Sequence, residues 1–138
     1  MLQRMQTIWL LLAAVFSFFT LRFPVYNGNK LVNGMSEYNM LSATSSLFLI
    51  ILAVAAGLIA LIAVFLYKNR PMQQKLCFAG LLLFIISGVL YYMQIKSFTE
   101  GAFSLWAVFY FLIPVCFILA MRGIYRDQKL VKSIDRLR

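Results

Sequence analysis

Residues 47–67 read LFLIILAVAAGLIALIAVFLY, twenty-one positions without a charge or a proline and with one glycine, Gly57. Coiled into an α-helix, the stretch would be roughly 31 Å long at about 1.5 Å per residue, which matches a hydrocarbon core of ~30 Å. A helix apolar on every face has no place on the surface of a water-soluble domain, where one face must meet solvent. The stretch therefore reads as a membrane span.

Composition extends that reading to the rest of the chain. Of 138 residues, 63% are hydrophobic and 12% are charged, where soluble domains carry about 25% charged residues. That length holds four spans with short connections and no separate soluble domain. Net charge is +9, with no histidine. In a membrane chain this excess is first an orientation signal and second an attraction to anionic lipid or RNA. No recognition-module pattern accompanies it, which makes ribosomal RNA a weak partner and excludes DNA from the expected ones. Cys77 and Cys116 both fall in apolar runs. Without histidine or CxxC spacing they offer neither metal site nor redox pair, so both are expected to be reduced, with no metal and no cofactor.

Along the chain, an apolar run from Ile8 to Leu21 sets a first span at about 5–21. Phe18-Phe19-Thr20-Leu21-Arg22-Phe23 lacks the small-residue site of a cleaved signal peptide, so the span is expected to be retained. Residues 22–44 form the longest connection. It contains Pro24 and two Asn-Gly pairs, Asn27-Gly28 and Asn33-Gly34. Asn-Gly is a hairpin signal, with Phe23–Tyr26 and Lys30–Val32 as candidate arms. The second span covers 46–67, with Ser42, Thr44 and Ser45 as cap candidates. Ala53 with Gly57, and Ala56 with Ala60, place small residues four apart on one face. That face suits close helix packing, first of all within the monomer.

Pro71, in the basic stretch 68–75, ends the second helix and turns the chain into a third span over 76–95. Residues 96–101 read as a tight turn before a fourth span at 102–121. Pro114 frees the carbonyl of Tyr110 there and should kink the helix. Ser87 and Tyr110 are the mid-depth polar side chains, expected to meet each other or that freed carbonyl. Phe103, Trp106, Tyr110, Ile113 and Phe117 make an aromatic-rich stripe best read as packing, and Trp9, Tyr67, Tyr91, Tyr92 and Tyr125 suit interfacial belts. The fold class is thus all-α, an integral membrane four-helix bundle.

Ten basic residues (Arg4, Lys68, Arg70, Lys75, Arg122, Arg126, Lys129, Lys132, Arg136 and Arg138) fall on one side of this topology. Three (Arg22, Lys30 and Lys96) fall on the other. The bias places both termini in the cytoplasm, as an even number of spans requires. Residues 122–138, RGIYRDQKLVKSIDRLR, put Leu130, Val131, Ile134 and Leu137 at helical spacing against Arg126, Lys129, Lys132 and Arg136. This is a basic amphipathic helix, held to anionic lipid by at most ~4 kcal/mol before screening.

The opening MLQRMQTIWLLLAAV and the close YRDQKLVKSIDRLR resemble a family of small four-span inner-membrane proteins of Gram-negative bacteria filed as a domain of unknown function. The matching positions are Gln3, Arg4 and Gln6, then Leu130, Val131, Lys132, Ser133, Asp135, Arg136, Leu137 and Arg138. The resemblance implies a bacterial inner membrane and supplies no activity. It draws notice to Asp135 beside Arg136, because a pure charge anchor needs no defined acid.

No ionisable side chain lies in the interior of a span, which argues against ion-coupled transport, proton relays and intramembrane proteolysis. The expectation is a non-catalytic accessory or structural subunit of an inner-membrane assembly, serving envelope biogenesis or export. It would dock another membrane protein through its helix faces. A partner or anionic lipid would meet the tail at Arg126, Lys129, Lys132, Asp135, Arg136 and Arg138. Packing would centre on Ala53, Gly57, Ala60, Ser87, Tyr110 and Pro114. The alternative is a small lipid- or metabolite-binding carrier with a cavity between the helices.

Overall fold

The computed structural model describes residues 2–138, with side chains from Met5 onward; the side chains of Gln3 and Arg4 lie outside the described residues. Helix α1 spans Leu2–Arg22, α2 Leu47–Phe65, α3 Arg70–Ile95 and α4 Ala107–Arg136. All four are long and apolar enough to cross a membrane. The chain is a multi-pass membrane protein of all-α class, with a small sheet added at one end. Successive helices run antiparallel. One end of the bundle therefore carries the sheet, and the other carries the start of α1, the α2–α3 turn and the last turns of α4. The most extensive packing joins α1 to α4, the first and last elements.

Small residues set the helix separations. A Cβ at Gly57 would stand 2.8 Å from Cζ of Phe18, and one at Gly80 would stand 2.6 Å from Cζ of Phe117. The tip of either ring reaches the opposing backbone only because no side chain intervenes. Ala60 is fully buried beside this seam and Ala53 half-buried. The small-residue face of α2 is thus turned inward, against α1.

The sheet departs from the all-helical expectation. Strand β1 spans Tyr26–Val32, β2 Met35–Leu41 and β3 Phe98–Phe103, in the antiparallel order β2-β1-β3. The hairpin turn is Asn33-Gly34, with φ of 52° and 83°. Two consecutive positive φ values define the tight turn that matches strand twist, and Asn-Gly favours it. The first pair, Asn27-Gly28, is not the turn but lies inside β1. Gly28 faces Gly101 across the β1–β3 ladder. A Cβ at Gly28 would collide with the carbonyl oxygen of Glu100, and one at Gly101 would fall 2.6 Å from the carbonyl oxygen of Asn27. The glycine serves close strand approach rather than reversal.

Residues expected as a plain turn and the start of the fourth span accordingly form β3, and α4 begins five residues later than read. Tyr26 is gripped edge-on between Phe98 and Phe103, each ring 5.4 Å away. Phe103 and Trp106 thereby leave the helical stripe, whose remaining members Tyr110, Ile113 and Phe117 are buried. Trp106 stacks on Phe23 at 4.1 Å instead. The sheet is rooted in the bundle through Val25 and Leu41, both buried, with the Val25 N–H donating to the Leu41 carbonyl at 2.8 Å.

Helix α3 starts at Arg70 rather than near Leu76, because Pro71 occupies its first turn, where a missing N–H costs nothing. Gln73, which read as part of a solvated loop, is buried and donates from Nε2 to the carbonyl of Ala63 at 2.9 Å. That carbonyl belongs to the last turn of α2 and has no partner within its own helix. The side chain closes the helical hairpin. Helix α4 continues through Pro114 without interruption.

Candidate functional site

Two polar features stand out, one inside the bundle and one at the end opposite the sheet. Inside, Ser87 of α3 and Tyr110 of α4 meet as expected, their hydroxyl oxygens 3.1 Å apart. The Ser87 hydroxyl donates to the Phe84 carbonyl at 2.8 Å, and the Tyr110 hydroxyl lies 3.4 Å from the same oxygen. The acceptor is therefore in α3, and not the carbonyl freed by Pro114. Tyr91 packs edge-on against Tyr110 at 5.1 Å, only 5% exposed, and its hydroxyl has no hydrogen-bond partner among the described residues. It belongs to the core rather than to an interfacial belt. Tyr67, Tyr92 and Tyr125 are exposed. The void that Ser17, Thr20, Ser87, Tyr91 and Tyr110 help to line has a volume of about 20 Å³. That is room for one water and no larger ligand.

At the opposite end, Gln6 on α1 and Asp127 on α4 are both buried, and Gln6 Nε2 donates to Asp127 Oδ2 at 2.6 Å. Gly123 permits this approach, since a Cβ there would fall 2.7 Å from Gln6 Cγ. Arg122 and Arg126 flank the pair and join Met5, Trp9 and Leu119 around a cleft of about 310 Å³. A second cleft, of about 340 Å³, opens between the α2–α3 turn and α4, lined by Lys68, Arg70, Pro71, Gln128, Val131 and Lys132. Asp127 falls within 122–138, the stretch read as a basic amphipathic helix, yet it is buried. The available signal was its place one turn after Gly123 on the apolar side of α4.

The tail residues lie where a free helix would put them. Helix α4 runs unbroken from the bundle to Arg136, and after Asp127 and half-buried Gln128 every residue is exposed. Leu130, Ile134 and Leu137 are uncovered, the last 90% exposed. Arg126, Lys129, Lys132, Asp135, Arg136 and Arg138 are exposed and make no ion pair among the described residues. Asp135 and Arg136 adjoin in sequence without bonding. The structure thus brings Ser87 and Tyr110 together, sets Gly57 and Ala60 against α1, and leaves the tail set as separate side chains on one projecting helix.

Four apolar helices closed by a small sheet, with a charged helix extending from the other end, define a multi-pass membrane protein. The chain belongs to the family described as a domain of unknown function, DUF4293, whose model matches residues 2–137. No curated protein and no solved structure matches it.

Proposed function

We propose that this protein is a non-catalytic accessory subunit of a bacterial inner-membrane assembly, with both termini in the cytoplasm, and that it docks its partner through the projecting end of α4. The single observation that supports this most is the exposure of every residue from Lys129 to the end, on a helix that keeps its apolar side uncovered. A helix of thirty residues is about 45 Å long, some 15 Å more than a hydrocarbon core of ~30 Å needs. The surplus carries Arg126, Lys129, Lys132 and Arg136, which suit an acidic protein surface or anionic lipid. The positive-inside bias supports the orientation.

The rival reading, a lipid- or metabolite-binding carrier, requires an interhelical pocket on the order of 300 Å³ or more. The void at mid-bundle is about 20 Å³, and the larger clefts, of about 310 and 340 Å³, lie open at the end of the bundle rather than enclosed between the helices, which favours the subunit reading. The test is purification from native membranes in mild detergent, with Arg126, Lys129, Lys132 and Arg136 all replaced by Gln in a parallel preparation. A stoichiometric membrane partner that is lost from the variant, while protease accessibility shows unchanged topology, is the expected result. A lone monomer carrying a bound metabolite would overturn it.

A further inference from the structure

The cleft between the α2–α3 turn and α4 differs from the neighbouring cleft around Gln6 and Asp127. Its walls carry three cations and no acid: Lys68 from the α2–α3 turn, Arg70 from the start of α3 and Lys132 from the tail. None of the three has an ion-pair partner among the described residues. Arg70 is half-buried, whereas Lys68 and Lys132 are exposed. The neighbouring cleft contains Asp127 and already satisfies it with Gln6. Helix α3 also begins here without a side-chain cap or an acidic residue in its first turn, so its positive pole adds to the same field.

Depth identifies the ligand. The α2 span ends at Phe65, and Tyr67, half exposed, lies at the level where aromatic side chains sit among headgroups. Lys68 follows at once and Arg70 two residues later, which sets both at the level of the phosphates. The cleft wall also includes Pro71 and Val131, so the charges stand beside apolar surface. Guanidinium binds phosphate through paired N–H groups and ammonium adds point charge. Basic pockets between spans at a membrane surface hold lipid headgroups in this way.

We infer that Lys68, Arg70 and Lys132 form a binding site for the phosphate of an anionic glycerophospholipid. The site deepens the proposed docking reading and rests on it only in turning Lys132 toward the headgroup layer. The tail's lipid attraction is then concentrated at one position, with the α2–α3 turn and the start of α3 supplying two of three cations.

The full-length protein, purified in neutral detergent, is offered phosphatidylglycerol, phosphatidylcholine or inorganic phosphate, and retained ligand is read by native mass spectrometry. Phosphatidylglycerol is expected to be retained ~10-fold over phosphatidylcholine, and a K68Q/R70Q/K132Q variant to lose that preference. A K129Q/R136Q/R138Q variant removes the same charge from the same end without touching the cleft, and is expected to keep the preference. Equal loss in both variants would show a diffuse field and overturn the site. Displacement of the lipid by inorganic phosphate would assign the cleft to a soluble anion and overturn the lipid. K68Q alone, at an exposed position, gives the same readout if the triple variant fails to fold. Absence of any stoichiometric protein partner from the native preparation, with lipid retention intact, would sink docking and leave this site standing.

Discussion

Gly80 and Gly57 perform the same office with different tolerance. The Phe117 ring against Gly80 is fully buried and cannot move aside, whereas the Phe18 ring against Gly57 is 36% exposed and can swing outward. Gly80→Ala is therefore expected to cost about 1–3 kcal/mol, and Gly57→Ala under about 1 kcal/mol, as read by unfolding in mixed detergent micelles. Tyr91 and Tyr110 make a second contrast. Tyr110→Phe removes a hydroxyl that bridges α3 and α4 and should cost ~0.6–2 kcal/mol. Tyr91→Phe removes a buried hydroxyl without a partner and should be neutral or stabilising in the same assay. The Ser87–Tyr110 contact was legible in the sequence because few polar groups sit at mid-depth, and polar groups in hydrocarbon seek each other. Tyr91 was not, because position alone cannot say whether a ring near a span's end turns toward lipid or inward.

At the scale of elements, each helix announced itself through an apolar run too long for a soluble core. The sheet did not. Six residues, FTEGAF, carry no alternation strong enough to separate a strand from a turn, and their partner lies about seventy positions upstream. Asn-Gly was ambiguous for a physical reason: glycine serves both positive φ and close backbone approach, and this chain uses one pair for each. The two uses predict different damage. Gly34→Val places a β-branched residue at φ 83° and should loosen the β1–β2 turn. Gly28→Ala should instead detach β3 from β1 while the hairpin survives. Amide hydrogen exchange separates them, with fast exchange near residues 32–35 in the first variant and across Phe98–Phe103 in the second.

The whole molecule is closed by its two ends. Gln6 and Asp127 stand 121 positions apart in sequence and within hydrogen-bond reach in space, a pairing that nothing local in the chain could disclose. Asp127→Ala leaves the Gln6 amide buried and unpaired, and should cost ~1–3 kcal/mol. Replacing both by Leu should cost less than the two single changes combined, a coupling that a double-mutant cycle in micelles would measure. The resemblance of both chain ends to one family is here given a partial physical meaning, since one position from the opening motif touches the helix that bears the closing one. The central strand has a consequence of another kind. Its flanking strands come from before α2 and from after α3, so half the sheet can form early in synthesis and the rest only once two further crossings are complete. The finished ladder is in effect a receipt for insertion, and a chain halted before its third helix is through would display an open strand edge for quality-control proteases to find.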